Sequence, residues 1–256
     1  MTVFTTEITS EKIPSDNPIH QRLLKAYNIS GPYIKGHLLE LGCGQGRGIK
    51  TIEDQADQYT GIDKNRRVIN ILKKIYSKYQ FKTGTFPPIK FPDKSFDTVI
   101  AFQVIEHIQD DDDFLLEIKR ILKPKGIAIL TTPNIKMSLT RNPWHVREYT
   151  SQELKDKCEK YFPNVEMKGI AGNKKVMEYH SQNRDSVNDL TKFDIFNLQH
   201  KLPRALLKIP YDLMNRINRY KLKNGDNQLV AGIHTDDFFL NDTDDNNLDL
   251  FVVLRV

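Results

Sequence analysis

The chain has 256 residues, 39 % of them apolar, and a net charge of +5. That is enough to bury a sizeable core in one large α/β domain with a smaller elaboration, while the mild charge permits an anionic partner without demanding one. No apolar run reaches the length of about 18 residues that marks a transmembrane helix, the start MTVFTTEITSEKIPSD is not a secretory signal, and two cysteines, Cys43 and Cys158, suit a reducing cytoplasm rather than a disulfide framework.

Asp16-Asn17-Pro18 reads as a cap followed by proline at the first helical position, opening a helix through Tyr27. A short buried strand follows at Gly36 to Leu41 and ends in glycines. A helix is expected from Gly46 to Asp54, a strand at Gln58 to Asp63, and a helix from Asn65 to Lys78, where Val68, Ile71, Leu72 and Ile75 have helical spacing. Strands at Tyr79 to Thr83 and Ser95 to Phe102, a helix at Asp110 to Leu122 and a strand at Gly126 to Thr132 continue the alternation. Alternating strands and helices predict a parallel sheet covered on both faces. Beyond it lie a helix at Ser151 to Tyr161 with Ser151 as cap, a sixth strand at Val165 to Ile170, and a seventh in the last apolar run, Leu248 to Val256.

The long connection before that last strand is read as an insert. The expected architecture is therefore α/β: a Rossmann-like, seven-stranded, mostly parallel sheet with an inserted cap between the last two strands. Residues 1–171 plus 248–256 form the main domain, and residues 172–247 form the cap or lid on the acceptor side.

Glu40-Leu41-Gly42-Cys43-Gly44-Gln45-Gly46-Arg47-Gly48 joins the first strand to a helix. Glycines there let backbone approach a ligand, and the amides beyond can receive an anionic group. Dinucleotide enzymes use G-x-G-x-x-G, whose third glycine would fall on Arg47; the spacing G-x-G-x-G-x-G departs from that fingerprint. Asp63, closing the second strand, can hold the two hydroxyls of a ribose.

The segments LELGCGQGRG, GIDKN, FPDKSFDTVIAFQVIEHI and LKPKGIAILTTPN, in this order, resemble class I S-adenosylmethionine-dependent methyltransferases, especially the subgroup containing ubiquinone-biosynthesis and small-molecule enzymes. The resemblance implies that Glu40, Gly42, Cys43, Gly44 and Gly46 line the methionine half of S-adenosyl-L-methionine, that Asp63 holds the ribose with Lys64 beside the adenine, and that Gln103 sits near the methionine end. Thr85, followed by Phe86, stands where relatives place an adenine-binding aspartate. Lys125 stands where relatives often have glycine.

Methyl transfer to a hydroxyl gains from a general base, and histidine suits that task near neutral pH. His107 follows the fourth strand, and relatives place a histidine both there and near His145; His107 is the expected base, and His145 the second candidate or an acceptor-positioning group. Tyr149 and Arg147 are expected to pair within their own loop. Some relatives bind a divalent ion through E-x-x-E-H, but Gln103 replaces the first glutamate, so no catalytic metal is expected. Asp110 to Asp113 reads as a helix cap, and Asp242 to Asn247 as a solvated turn lacking the glycine and glutamate of a calcium loop.

In the insert, Lys201 to Lys223 holds seven Lys or Arg against one Asp, with an apolar stripe through Leu206, Tyr211 or Met214, Ile217 and Tyr220, broken or kinked at Pro210. Two readings follow: a peripheral contact with anionic lipid, or, favoured, a lid helix with its apolar face on the core. Tyr179, His180, Phe193, His200 and Tyr211 are acceptor-pocket candidates by location. The expected function is methylation of a small molecule or a glycan or lipid precursor, at oxygen, by in-line displacement. An RNA 2′-O-methyltransferase and a non-catalytic cofactor-binding module are the alternatives; nucleic acid is disfavoured.

Overall fold

The computed structural model describes residues 13–192 and 202–256. In chain order the elements are α1 (Asn17–Ser30), β1 (His37–Leu41), α2 (Ile49–Ile52), β2 (Gln58–Asp63), α3 (Arg66–Ile75), β3 (Gln80–Thr83), β4 (Phe96–Phe102), α4 (Asp111–Ile121) and β5 (Leu122–Pro133). They continue with α5 (Ser151–Glu159), β6 (Asn164–Gly172), α6 (Lys174–Thr191), α7 (Arg204–Gly225), α8 (Asn227–Gly232), β7 (Phe238–Asn241) and β8 (Asp249–Arg255). The strands form one sheet in the order β3-β2-β1-β4-β5-β8-β6-β7. From β3 to β5 the pairings are parallel, and β8, β6 and β7 are added antiparallel.

The sheet is Rossmann-like but has eight strands among the described residues rather than the expected seven. The extra one, Phe238–Asn241, pairs with Gly169 to Gly172 and lies within the expected insert. Four residues are too few to show an alternation in the sequence.

Alternation along the central strands supplies a core on each face. Leu38, Ile100, Ile129 and Val253 join one cluster with Tyr27, Ile49, Ile69, Val176 and Leu222, from α1, α2, α3, α6 and α7. Leu39, Val99, Leu130 and Val252 join the other with Phe114, Ile118, Leu154 and Cys158, from α4 and α5. Both cysteines are buried free thiols. Among the described residues no helix is long and apolar enough to cross a membrane.

Several local expectations shift. Asp16 makes no cap bond to α1; its carboxylate is buried and instead holds Arg216 and Arg219 of α7, each at 2.9 Å. The helix after the glycine loop is reduced to α2, because Gly46 at φ 76° keeps the preceding chain irregular. Thr150, not Ser151, caps α5, in a reciprocal box with Glu153. The helix α7 runs unbroken through Pro210. Lys125 adopts φ 64°, the left-handed region that glycine occupies without strain, which accounts for the residue relatives carry there.

Candidate active site

The carboxyl ends of β1, β2 and β4 meet at the glycine loop. Gly42 and Cys43 donate their amides to the Ile62 carbonyl at 2.8 and 2.9 Å, tying the loop to β2, and the Gly46 amide returns to the Cys43 carbonyl. Gly44 has φ 48°, and a Cβ there would meet nothing within 4 Å, so backbone conformation rather than crowding calls for glycine. Gly48 differs: a Cβ would lie 1.9 Å from the Tyr27 ring. Asp63 accepts the Gly44 amide at 3.0 Å and the Asn65 amide at 2.8 Å, so its carboxylate is oriented at the mouth of the loop.

Beneath the loop Glu40 is 1 % exposed. Tyr27 donates its hydroxyl to one carboxylate oxygen at 2.6 Å and Tyr59 donates to the other. Burial pushes the Glu40 carboxyl above its ordinary range, against the pull of those two bonds. Glu40 thus braces the loop floor through the tyrosines. Cys43 packs close to Gly61, and burial pushes its thiol far up, so it is inert. Lys64 and Thr85 are exposed at the ends of β2 and β3, and Phe86 stacks on Phe114 at 5.5 Å. Gln103 adopts φ 56°, held by its amide to the Thr131 carbonyl at 2.9 Å. A side chain in that region is strained, and such strain collects at functional sites.

Beside this loop a cavity of about 270 Å³ opens between the ends of β4 and β5, the chain from Pro133 to Glu148, and helices α1, α6 and α7. Gln103, Glu106, His107, His145 and Glu148 line it. His107 donates Nδ1–H to the Trp144 carbonyl at 3.0 Å, which leaves the lone pair on Nε2. Asn142 accepts the Trp144 amide through its side-chain oxygen and therefore turns its NH₂ toward His145 Nε2 at 2.8 Å. His145 then donates from Nδ1 to Glu148 at 2.6 Å. The two imidazoles stand nearly perpendicular, with ring centres 5.0 Å apart.

Glu106 is 1 % exposed. Thr132 donates to one of its oxygens at 3.0 Å, while the other, Oε1, has no partner among the described residues. Burial raises its carboxyl to about 7. Ligating atoms of Glu106, His107 and His145 lie within 4.8 Å of one another, a grouping that could hold a metal ion. Both nitrogens of His145 are already engaged by Glu148 and Asn142, so a metal would have to displace Asn142.

The loop bearing His145 is anchored by Asp111 at the start of α4. This buried carboxylate takes the Tyr149 hydroxyl at 2.5 Å, Arg147 at 2.8 Å and Lys157 at 2.9 Å. Tyr149 and Arg147 therefore pair with α4 rather than within their own loop, and only Asp110 of the acidic run acts as the cap.

Of the insert residues expected at the acceptor, Tyr179, His180 and Tyr211 line the cavity, while Phe193 and His200 lie outside the described residues. The apolar face of α7 does not lie on the core. Ile209 and Leu213 are 81 % and 61 % exposed, with Leu206, Ile217 and Tyr220 beside them, and the inward face presents Tyr211, Asn215, Asn218 and Arg219 to the cavity. Sequence reasoning missed Arg22, Glu148, Asn218 and Asp249, and weighed Glu106 only for a metal. Asp249 carried a signal, a single acid inside the apolar run LDLFVVL. It is buried, ion-paired to Arg22 at 3.2 Å, and its carboxyl is raised by burial.

Residues 39–130 match the family described as "Methyltransferase domain". A "Probable S-adenosylmethionine-dependent methyltransferase" of Mycolicibacterium smegmatis is 29 % identical over 237 residues, covering 90 % of this chain and 82 % of that one. A ubiquinone biosynthesis O-methyltransferase of Rickettsia bellii is 32 % identical over 101 residues, 38 % of this chain and 42 % of that one. Among solved structures, a SAM-dependent methyltransferase from Archaeoglobus fulgidus superposes with a TM-score of 0.56 at 15 % identity, covering 92 % and 94 % of the two chains, a likeness of fold.

Proposed function

The chain is a class I S-adenosylmethionine-dependent methyltransferase, and from that premise we propose that it methylates an oxygen of a small molecule held in the cavity beside His107. S-adenosyl-L-methionine, when bound, supplies a methyl group on a sulfonium whose departure as a neutral thioether needs no acid. The open face above Gly44 and the oriented carboxylate of Asp63 fit that donor. Gln103, which lines the cavity next to the loop, marks the boundary between donor and acceptor.

The observation that carries the reading is the histidine pair at the cavity floor, with His107 fixed through Nδ1 on the Trp144 carbonyl and His145 fixed through Nδ1 on Glu148. His107 Nε2 takes the proton of the acceptor hydroxyl as the new O–C bond forms. The Glu148 carboxylate, also lining the cavity, favours the imidazolium that results. Alignment of acceptor and methyl by the walls can be worth about 7–11 kcal/mol, and the base a further ~10²–10⁴-fold. The name of the Rickettsia relative supports oxygen as the atom methylated. Residues 172–247 act as the acceptor-side elaboration through α6 and α7.

The test is His107→Ala, assayed by label transfer from S-adenosylmethionine at neutral pH, with cofactor binding followed by calorimetry. Turnover should fall by ~10²–10⁴-fold with cofactor affinity unchanged. Unchanged turnover would remove His107 as the base.

A further inference from the structure

Two buried side chains that line the cavity present hydrogen-bond acceptors that nothing among the described residues satisfies. Glu106 Oε1 lies at the β4 end, and Asn218 Oδ1 lies on α7, on a side chain 4 % exposed. Asn218 cannot turn its amide to relieve this, because its NH₂ donates to Asn183 Oδ1 at 2.7 Å. Buried polar atoms are almost always paired, so two orphaned acceptors facing one space point to a ligand that brings donors.

The cations nearby narrow the ligand further. Arg219 is committed to Asp16 at 2.9 Å and Arg22 to Asp249 at 3.2 Å. Each guanidinium is thus paired with a buried carboxylate, and the two orphaned acceptors call for a ligand with donors, which an anion lacks. A fatty chain would leave Glu106 and Asn218 unsatisfied. A molecule rich in hydroxyl donors meets both acceptors. Tyr179 and Tyr211 add ring surface on the same walls, suited to the C–H faces of such a molecule. The cavity, about 270 Å³, is near the lower end of the roughly 300–1,000 Å³ usual for ligand sites, which sets the scale at one compact unit.

Building on the reading of an oxygen methyltransferase, we infer that the acceptor is a compact polyol of sugar-like chemistry, gripped between Glu106 Oε1 and Asn218 Oδ1. A site built to bond substrate hydroxyls rejects analogues lacking them by roughly 10⁴–10⁵-fold. Discrimination against apolar acceptors should therefore be steep.

The experiment uses the full chain with S-adenosylhomocysteine bound. Methyl glucoside, methyl mannoside and myo-inositol are titrated by calorimetry against catechol, decanoic acid and histamine, and label transfer is measured for each. At least one polyol should bind saturably and accept the methyl. Asn218→Leu should weaken its binding about tenfold or more while leaving S-adenosylhomocysteine affinity within about threefold. Absence of binding by all three polyols overturns the inference, as does polyol binding that Asn218→Leu leaves unchanged. Transfer to catechol alone, lost in His107→Ala, would sink the polyol and leave the base standing. Polyol transfer undiminished in His107→Ala would do the reverse.

Discussion

Two glutamates stand at the ends of neighbouring parallel strands, equally buried, and differ in what their oxygens meet. Glu40, under the glycine loop, has a tyrosine hydroxyl on each oxygen. Glu106, beyond β4, has Thr132 on one oxygen and nothing among the described residues on the other. The first arrangement is closed: it satisfies itself and holds a backbone in shape. The second is open: it leaves an acceptor on a cavity without a protein partner among the described residues. On the proposed reading, the donor half of the site presents backbone and the acceptor half presents side chains.

The acceptor half also hangs on one long-range tie. Asp16, fully buried before α1, holds Arg216 and Arg219 of α7. Removing one partner of a buried ion pair leaves uncompensated charge and costs about 3–5 kcal/mol. Asp16→Ala should lower stability by that amount in chemical denaturation and should weaken acceptor binding while leaving S-adenosylmethionine affinity within about twofold. An equal loss of both affinities would erase the division between the halves.

The open carboxylate should leave a signature in pH. The Glu106 carboxyl is raised to about 7 from 4.5, so folding favours its protonated form. Its contribution to stability is full below about pH 4.5, falls as pH rises toward about 7, and stays lost above; the difference is roughly 3 kcal/mol. Glu106→Gln, neutral throughout, should therefore gain about 2–3 kcal/mol over the parent at about pH 8 and much less at about pH 5. Equal gains at both would mean that the carboxylate is not the source.

Closure at Glu40 can be undone in the same way. Tyr59→Phe removes a hydrogen bond to a buried charge, worth about 1.5–3 kcal/mol, and turns Glu40 into a second open carboxylate. Destabilisation near 2 kcal/mol is expected, larger at alkaline than at acid pH. The donor should also bind more weakly, because the loop loses its brace. Intact donor affinity would show that the loop holds its shape without Glu40.

The closed half was legible in the sequence because its parts are local. The glycine loop, Asp63 and Gln103 each lie at the end of a parallel strand, and the motifs around them carried the resemblance that implied the donor. The open half was not, since its groups come from distant elements: Arg22 meets Asp249, Asp16 meets Arg219, and Asn218 and Glu106 line one cavity. No spacing rule encodes such meetings. Periodicity did reveal the apolar stripe of α7 but not its direction. Of the expected inward stripe, Leu206, Met214, Ile217 and Tyr220 face out and Tyr211 faces in, because the inner face lines a polar cavity.

The smallest expected effect tests how firmly the open half is held. Thr150 accepts the Glu153 amide, and Glu153 answers the Thr150 amide, just beyond the loop that carries His145 and Glu148. Loss of such a cap costs about 1 kcal/mol. Thr150→Ala should reduce stability by about that much, with the loss shown by faster amide exchange in the first turn of α5. Asp111 still anchors the loop through Tyr149 and Arg147, so the His145–Glu148 pair should persist and turnover should change by less than about threefold. A larger fall in turnover at the same stability would mean that the cap, rather than Asp111, sets the position of the second histidine.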